Sequence, residues 1–193
     1  MIIAVLFCFF TFYLLVKLKI TKDTLNKRIK FLEKEVRYDY LTQTLSRRAF
    51  IEEVEIALAN DPNGTLLIFD VNGFKTVNDT FGHLEGDNLI KRFSSKLLKA
   101  FDKNLVGRLG GDEFLVFISG ECDKEFINSK LRTSGVTEFR DKPTKLTLTS
   151  CCGAAIAPKN GTNFESLYEK ADKALYRSKK TTHKIVYCKE IFL

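Results

Sequence analysis

Three carboxylates in this sequence stand where short apolar runs end or begin. Asp70 lies near the end of TLLIFDV (65–71), and Asp112 and Glu113 follow the dipeptide Gly110-Gly111. If the runs are neighbouring strands, these carboxylates converge and repel one another unless a cation sits between them. Oxygen ligands with an incomplete shell suit Mg2+ completed by phosphate oxygens, which is the constellation of two-metal phosphoryl or nucleotidyl transfer. The plainer reading makes Asp70 and Asp112 turn formers and leaves Glu113 solvated. Residue types alone leave both open.

Asn72-Gly73-Phe74-Lys75 follow at once. A glycine there lets backbone amides approach a phosphate, and Lys75 would add positive charge to the same cradle. Neither G-x-x-x-x-G-K-[ST] nor G-x-G-x-x-G occurs, which excludes the P-loop and the dinucleotide cradle. Asn78 and Asp87 bracket NDTFGHLEGD. An amide and a carboxylate can read the edge of guanine, the carboxylate accepting from the N1 proton and N2 amine; service as loop and helix-cap residues is the commoner use of such side chains. His83 and His183 have no nucleophile motif near them and G-x-S-x-G is absent, so a histidine-based hydrolase is excluded.

The elements that must position these groups follow from hydrophobic period. Ser46 caps a helix with Phe50, Ile51, Val54, Ala57 and Leu58 on one face. Asp61-Pro62-Asn63-Gly64 is a turn, and 65–71 is a strand buried on both faces. A helix near 87–101 turns Leu89, Ile90, Phe93, Leu97 and Leu98 inward. Strands at 105–109 and 113–118 are joined through Gly110-Gly111. Phe126, Ile127 and Leu131 mark a helix, 146–157 a strand, 164–180 a helix and 185–188 a last strand. The class is therefore α+β. Its core order, β-α-β-β-α-β with flanking helices, is the ferredoxin-like split βαβ arrangement, expected to occupy residues 38–193 as one domain.

Ahead of that domain, residues 1–16 carry no charged side chain and Lys17 to Arg37 carry eight basic and three acidic ones, so +5 of the net charge of +7 lies there. A nucleic-acid binder would spread its basic patch over the folded domain. The excess beside an apolar run favours a membrane surface, and no nucleic-acid partner is expected. MIIAVLFCFFTFYLLV falls a little short of the ~20 residues that span a bilayer, and Leu18 and Ile20 extend it if Lys17 and Lys19 snorkel. A transmembrane anchor over 1–20 is expected, single-pass in the cytoplasmic membrane with the remainder in the cytoplasm. A signal peptide would need basic residues before the run and a small-residue cleavage site after it. Neither is present; a segment of another kind is the remaining alternative.

Leu18, Leu25, Ile29, Leu32 and Val36 recur at the 3-4 spacing of a short coiled-coil seam, spoiled at Lys22. Residues 21–37 are thus a dimerisation helix, or else an amphipathic linker lying on its own domain. The five cysteines are odd in number and contain no C-x-x-C, so free thiols in a reducing compartment are expected rather than a metal or redox site.

Arg108 to Phe114 spells RLGGDEF, which resembles the signature of the GGDEF-domain diguanylate cyclases. DYLT from Asp39, DVNGFKTVNDTFGHLEGD from Asp70 to Asp87, and ADKALYRSK from Ala171 to Lys179 match further motifs of that family in order. The resemblance covers residues from about Tyr38 onward. It implies a nucleotide-cyclase or palm-type fold and condensation of two GTP into cyclic di-GMP and pyrophosphate. Each monomer would hold one GTP and half an active site, so a homodimer would be required. It further implies two Mg2+ per site, with Mn2+ as a possible substitute, held by Asp70, the Val71 carbonyl and Asp112, with Glu113 beside the metal and the attacking 3′-hydroxyl. Asn78 and Asp87 would read guanine. Lys75, Lys179, the Phe74 region and the Gly110-Gly111 turn would meet the substrate's phosphates. A catalytically silent GGDEF domain, acting as a nucleotide-binding or protein-interaction module, is the alternative.

The sequence departs from the family pattern in four places. Asn72 replaces an Asp not expected to be a direct ligand. Gln43, Thr44 and Ser46 alter the N-terminal motif. Thr182-His183 stand where Gly-Arg is usual, removing one phosphate contact. Phe101 and Asn104 occupy the positions of the product-binding R-x-x-D, which implies no product inhibition through that site.

Overall fold

The computed structural model describes residues 2–136, 138–140, 147–180 and 185–187, with side chains except at 2–8, 30–36, 134, 139–140, 147–148 and 185–187. The chain divides into two compact units, Met1–Arg37 and Tyr38–Leu193.

The first unit is one continuous helix, α1 (Ile2–Arg37). Among the described residues no helix is long and apolar enough to cross a membrane. That finding overturns the expected anchor over 1–20, and with it the single-pass placement in the cytoplasmic membrane and the membrane partner. The physical reason lies in the pattern. The apolar run stops at Val16, short of the ~20 residues a span needs, and Lys17, Lys19, Lys22 and Asp23 crowd the next two turns. Of the expected seam, Leu18, Leu25 and Ile29 are exposed, while the side chains of Leu32 and Val36 lie outside the described residues.

The second unit is built on a seven-stranded mixed sheet. Its strands are β1 (Leu45–Ser46), β2 (Gly64–Val71), β3 (Leu105–Gly110), β4 (Glu113–Ser119), β5 (Glu138–Arg140), β6 (Thr147–Ala157) and β7 (Ile185–Tyr187). They lie in the order β1-β3-β4-β2-β6-β5, with β7 parallel beside β6. The helices are α2 (Arg47–Asn60), α3 (Phe74–Phe81), α4 (His83–Ala100), α5 (Lys124–Ser134) and α6 (Phe164–Lys180). From β2 the chain crosses through α3 and α4 past β4 to β3, and from β4 through α5 past β2 to β6. These are the two interleaved units of the ferredoxin-like arrangement.

Strand period two divides the core. Leu67, Phe69 and Val71 of β2 face α4 and α5, whereas Leu66 and Ile68 face α2 and α6. On the first face Phe93 packs 5.1 Å from Phe114 and 6.5 Å from Phe69, ring centre to ring centre. Each fully buried phenylalanine stabilises the fold by roughly 1.5–3 kcal/mol, and this trio locks β2 against β4, the two strands that carry the acidic residues.

Local signals behave as their chemistry dictates. Ser46 Oγ accepts from the Ala49 N–H at 3.4 Å to start α2, and Asp123 accepts from the Glu125 N–H at 3.2 Å to start α5. On α6, Leu167, Ala171, Ala174 and Leu175 are buried at helical spacing. Four elements differ from expectation: α4 begins at His83, α3 precedes it, and β1 and β5 add short strands to the sheet. The first turn of α4 is largely exposed, α3 offers only Phe74 and Val77 to the core, and β1 and β5 are two and three residues long, so packing reveals what local pattern does not. Leu98 and Phe126, expected to face inward, are exposed.

Candidate active site

Antiparallel pairing of β2 with β4 sets Asp70 directly opposite Glu113. Directly opposed residues hold their Cβ atoms about 5 Å apart on one face of the sheet. Asp112 precedes Glu113 in the turn made by Gly110 and Gly111, the latter at φ 52°. The Val71 N–H donates to the Asp112 carbonyl at 3.2 Å, tying the end of β2 to that turn. Burial pushes the Asp112 carboxyl above its ordinary range, and the charge of Asp70 adds to this. Glu113 is pushed up by burial, then by Asp70 and Asp112. The three carboxylates the sequence singled out are therefore gathered, and they repel.

Lys179 supplies the positive charge. Its Nζ donates to Asp70 Oδ2 at 2.6 Å across 109 residues of sequence. Burial works against the ammonium, but the bond to Asp70 and the charges of Glu113 and Asp112 raise its pKa on balance. Lys179 reaches Asp70 because α6 lies close on β6 at Gly153. A Cβ there would fall 2.1 Å from the Ala171 carbonyl oxygen and 2.3 Å from the Leu175 nitrogen, so only glycine lets helix and strand approach this closely. A cavity of about 390 Å³ opens beside Glu113 along α6, lined also by Asp172, Arg177 and Lys179.

A second group lies on the helices that β2 runs into. The Phe74 ring packs against the core, leaving its backbone as the part a phosphate could meet, and Lys75 is exposed on the first turn of α3. Asn78 is half-buried against α4, its Oδ1 occupying the space above Gly86, where a Cβ would come within 1.8 Å. Asp87, the next residue of α4, is half-buried as well. Sequence reasoning missed Gly86. Its one signal is a glycine inside a helix where alanine would be the better former.

It also missed a clasp behind the turn. Arg108 Nη1 donates to Asp39 Oδ1 at 3.1 Å, while its Nε and Nη2 donate to the Gly111 carbonyl at 3.0 and 2.7 Å. Asp39 further accepts from the Thr42 N–H and hydroxyl at 2.9 and 2.7 Å. Asn72 is held by the neighbouring strand, its Nδ2 donating to Thr149 Oγ1 at 3.0 Å and to Cys151 Sγ at 3.3 Å. Thr182 and His183 lie outside the described residues.

With a β2–β4 carboxylate pair, a glycine turn and a lysine-bearing last helix on one ferredoxin-like frame, comparison with known proteins is decisive. The family model described as diguanylate cyclase, GGDEF domain, matches residues 36–184. The chain belongs to this family. Diguanylate cyclase DgcP of Pseudomonas aeruginosa is 34% identical over 151 residues, which is 74% of this chain and 22% of the relative. The probable diguanylate cyclase DgcI of Escherichia coli K12 is 37% identical over 145 residues, 74% of this chain and 31% of the relative. The chain thus spans less than a third of the length of these curated relatives. The coiled coil and GGDEF domain of DgcB from Caulobacter crescentus, solved with c-di-GMP, superposes with a TM-score of 0.78 at 24% identity. It covers 90% of this chain and 96% of that one, a likeness of fold.

The GGDEF family implies Mg2+. Among the described residues no group of three His, Cys, Asp or Glu side chains is gathered tightly enough to hold a metal by itself. The donors present nonetheless fit this ion in kind. They are oxygens only, two of the carboxyls are pushed up by burial and then by neighbouring carboxylate charge, and a cationic group already rests on the third. Such a partial shell suits Mg2+ that keeps waters and phosphate oxygens as its other ligands.

Proposed function

We propose that this GGDEF domain is a diguanylate cyclase that condenses two GTP into cyclic di-GMP and pyrophosphate between two copies of the chain. The observation that carries the proposal is the register placing Asp70 opposite Glu113 with Asp112 in the adjoining turn. Asp70, the Val71 carbonyl, Asp112 and Glu113 would hold two Mg2+ per site, with Mn2+ as a substitute. When bound, the metal supplies charge against the triphosphate and lowers the pKa of the attacking hydroxyl.

The chain's own residues do the rest. Asn78 and Asp87 read the guanine edge, fixing the base so that the α-phosphorus stands before the carboxylates. The backbone after Val71, the Gly110-Gly111 turn, Lys75 and Lys179 face the phosphates. Glu113 lies beside the 3′-hydroxyl of the GTP carried by the second copy. The 3′-oxygen bonds to the α-phosphorus, the bond from that phosphorus to the bridging oxygen breaks so that pyrophosphate departs, and the hydroxyl proton passes to water; the reaction repeated in the reciprocal sense closes the ring. Exposed Leu18, Leu25 and Ile29 are available to pair two copies through the 18–36 stretch of the helix.

The test is incubation of the full chain and Asp112→Ala with GTP and Mg2+, resolving products by chromatography and mass. Cyclic di-GMP from the wild type that disappears in the variant bears the proposal out. GTP binding without product at any protein concentration would replace it with the silent nucleotide-binding module.

A further inference from the structure

Lys179 already holds the carboxylate that a metal ion would need. The ammonium lies 2.6 Å from Asp70 Oδ2, and a Mg2+ ligated by that oxygen would sit ~2.1 Å from it. Two cations on one carboxylate repel each other when no counter-ion stands between them. Asp70 is half-buried, its side chain 14% exposed, whereas Lys179 is 42% exposed and has room to leave. The cavity beside Glu113 that it also lines is open to that movement and already carries Arg177.

We propose that Lys179 is the resident counter-cation of the metal-free site: it neutralises Asp70 until a divalent ion displaces it, and the freed ammonium then turns to the incoming phosphates. The proposal rests on Asp70 being a metal ligand. It makes metal and nucleotide binding mutually reinforcing, because the ion releases the cation that the phosphates need, and linkage demands the reverse as well. It also keeps the carboxylate cluster partly neutralised before substrate arrives, so the β2 and β4 ends are not driven apart by unbalanced charge.

The experiment measures Mn2+ binding by the loss of its free paramagnetic resonance signal. The full chain, Lys179→Met, Asp70→Asn and the double variant are compared, each with and without a GTP analogue that cannot be cleaved at the α-phosphate. Circular dichroism melts confirm that each variant is folded. Without nucleotide, Lys179→Met is expected to bind Mn2+ about tenfold tighter than wild type, a coupling of ordinary size. The double variant should lose that gain, and the analogue should improve Mn2+ affinity less in Lys179→Met than in wild type. Lys179→Met binding Mn2+ no tighter than wild type would overturn the counter-cation role. Asp70→Asn binding as well as wild type would instead overturn Asp70 as a ligand, so the two failures are told apart. No assay of turnover enters the result.

Discussion

Arg108 and Asp39, 69 positions apart in the sequence, are joined by an ion pair of 3.1 Å whose guanidinium also holds the Gly111 carbonyl. One side chain thus ties the loop after the first unit to the turn that carries Asp112. The pair is largely shielded, at 12% and 20% side-chain exposure, so it is screened less than a surface ion pair.

Breaking this clasp should loosen the turn. Arg108→Ala is expected to destabilise the domain by ~1–3 kcal/mol, and to lower kcat roughly tenfold to a hundredfold through misplacement of Asp112. Arg108→Lys should recover part of the stability and little of the rate, because an ammonium cannot hold both acceptors in fork geometry. Denaturant titration and steady-state kinetics check both; wild-type kcat in Arg108→Lys would refute the positioning role.

Acid should undo the same contact. Burial alone would raise the Asp39 carboxyl, but hydrogen bonds from Thr42 and Arg108 outweigh it and hold the group below its ordinary range. The folded state therefore favours the charged form more than the unfolded state does. That stabilisation is complete above the unfolded value of about 4 and is lost as pH falls through the lower folded value. The melting-temperature gap between wild type and Asp39→Asn should be widest near neutrality and close as pH falls below the ordinary carboxylate value of about 4 and on through the lowered one. A gap independent of pH would contradict this account.

Gly86→Ala separates folding from substrate reading. The added methyl meets the Asn78 amide oxygen at 1.8 Å, at the end of a side chain that can swing aside. Helix α4 gains from the better former, by up to ~1 kcal/mol, while Asn78 leaves its place above Gly86. Nucleotide affinity by calorimetry should fall about tenfold, as for loss of one hydrogen bond to a base. A variant that binds GTP as wild type does would remove Asn78 from the guanine site.

Product inhibition through the R-x-x-D position should be absent. Phe101 is 1% exposed and packs 6.5 Å from Phe69 inside the core, so the position is committed to folding. Titrating cyclic di-GMP into the turnover assay should leave the rate unchanged; submicromolar inhibition that survives in Asn104→Ala would point to a site elsewhere, and inhibition lost in that variant would refute the prediction.

Much of the architecture was legible because it is local. The continuous apolar run in 65–71 required a strand with two buried faces, the spacing of Leu167, Ala171, Ala174 and Leu175 required a helix with one, and glycines at 110 and 111 required a turn. The motif strings carried the family for the same reason, since neighbouring residues are enough to spell them. The 1–16 run misled because apolar character is a matter of composition, while crossing a membrane is a matter of length.

Pairings between distant residues belong to the tertiary structure. Nothing within β2 or β4 sets their register, and a one-residue slip would put Asp70 and Glu113 on opposite faces; the packing of Phe69, Phe93 and Phe114 under α4 prevents it. Lys179 meets Asp70, and Arg108 meets Asp39, only because sheet order and the close approach of α6 at Gly153 fold distant segments onto one rim. The sequence by itself determined which charged groups the domain carries and the elements that bear them. Which carboxylates repel, which lysine answers them and which arginine holds the turn were decided by the fold, because electrostatic energy depends on distance through space, not along the chain.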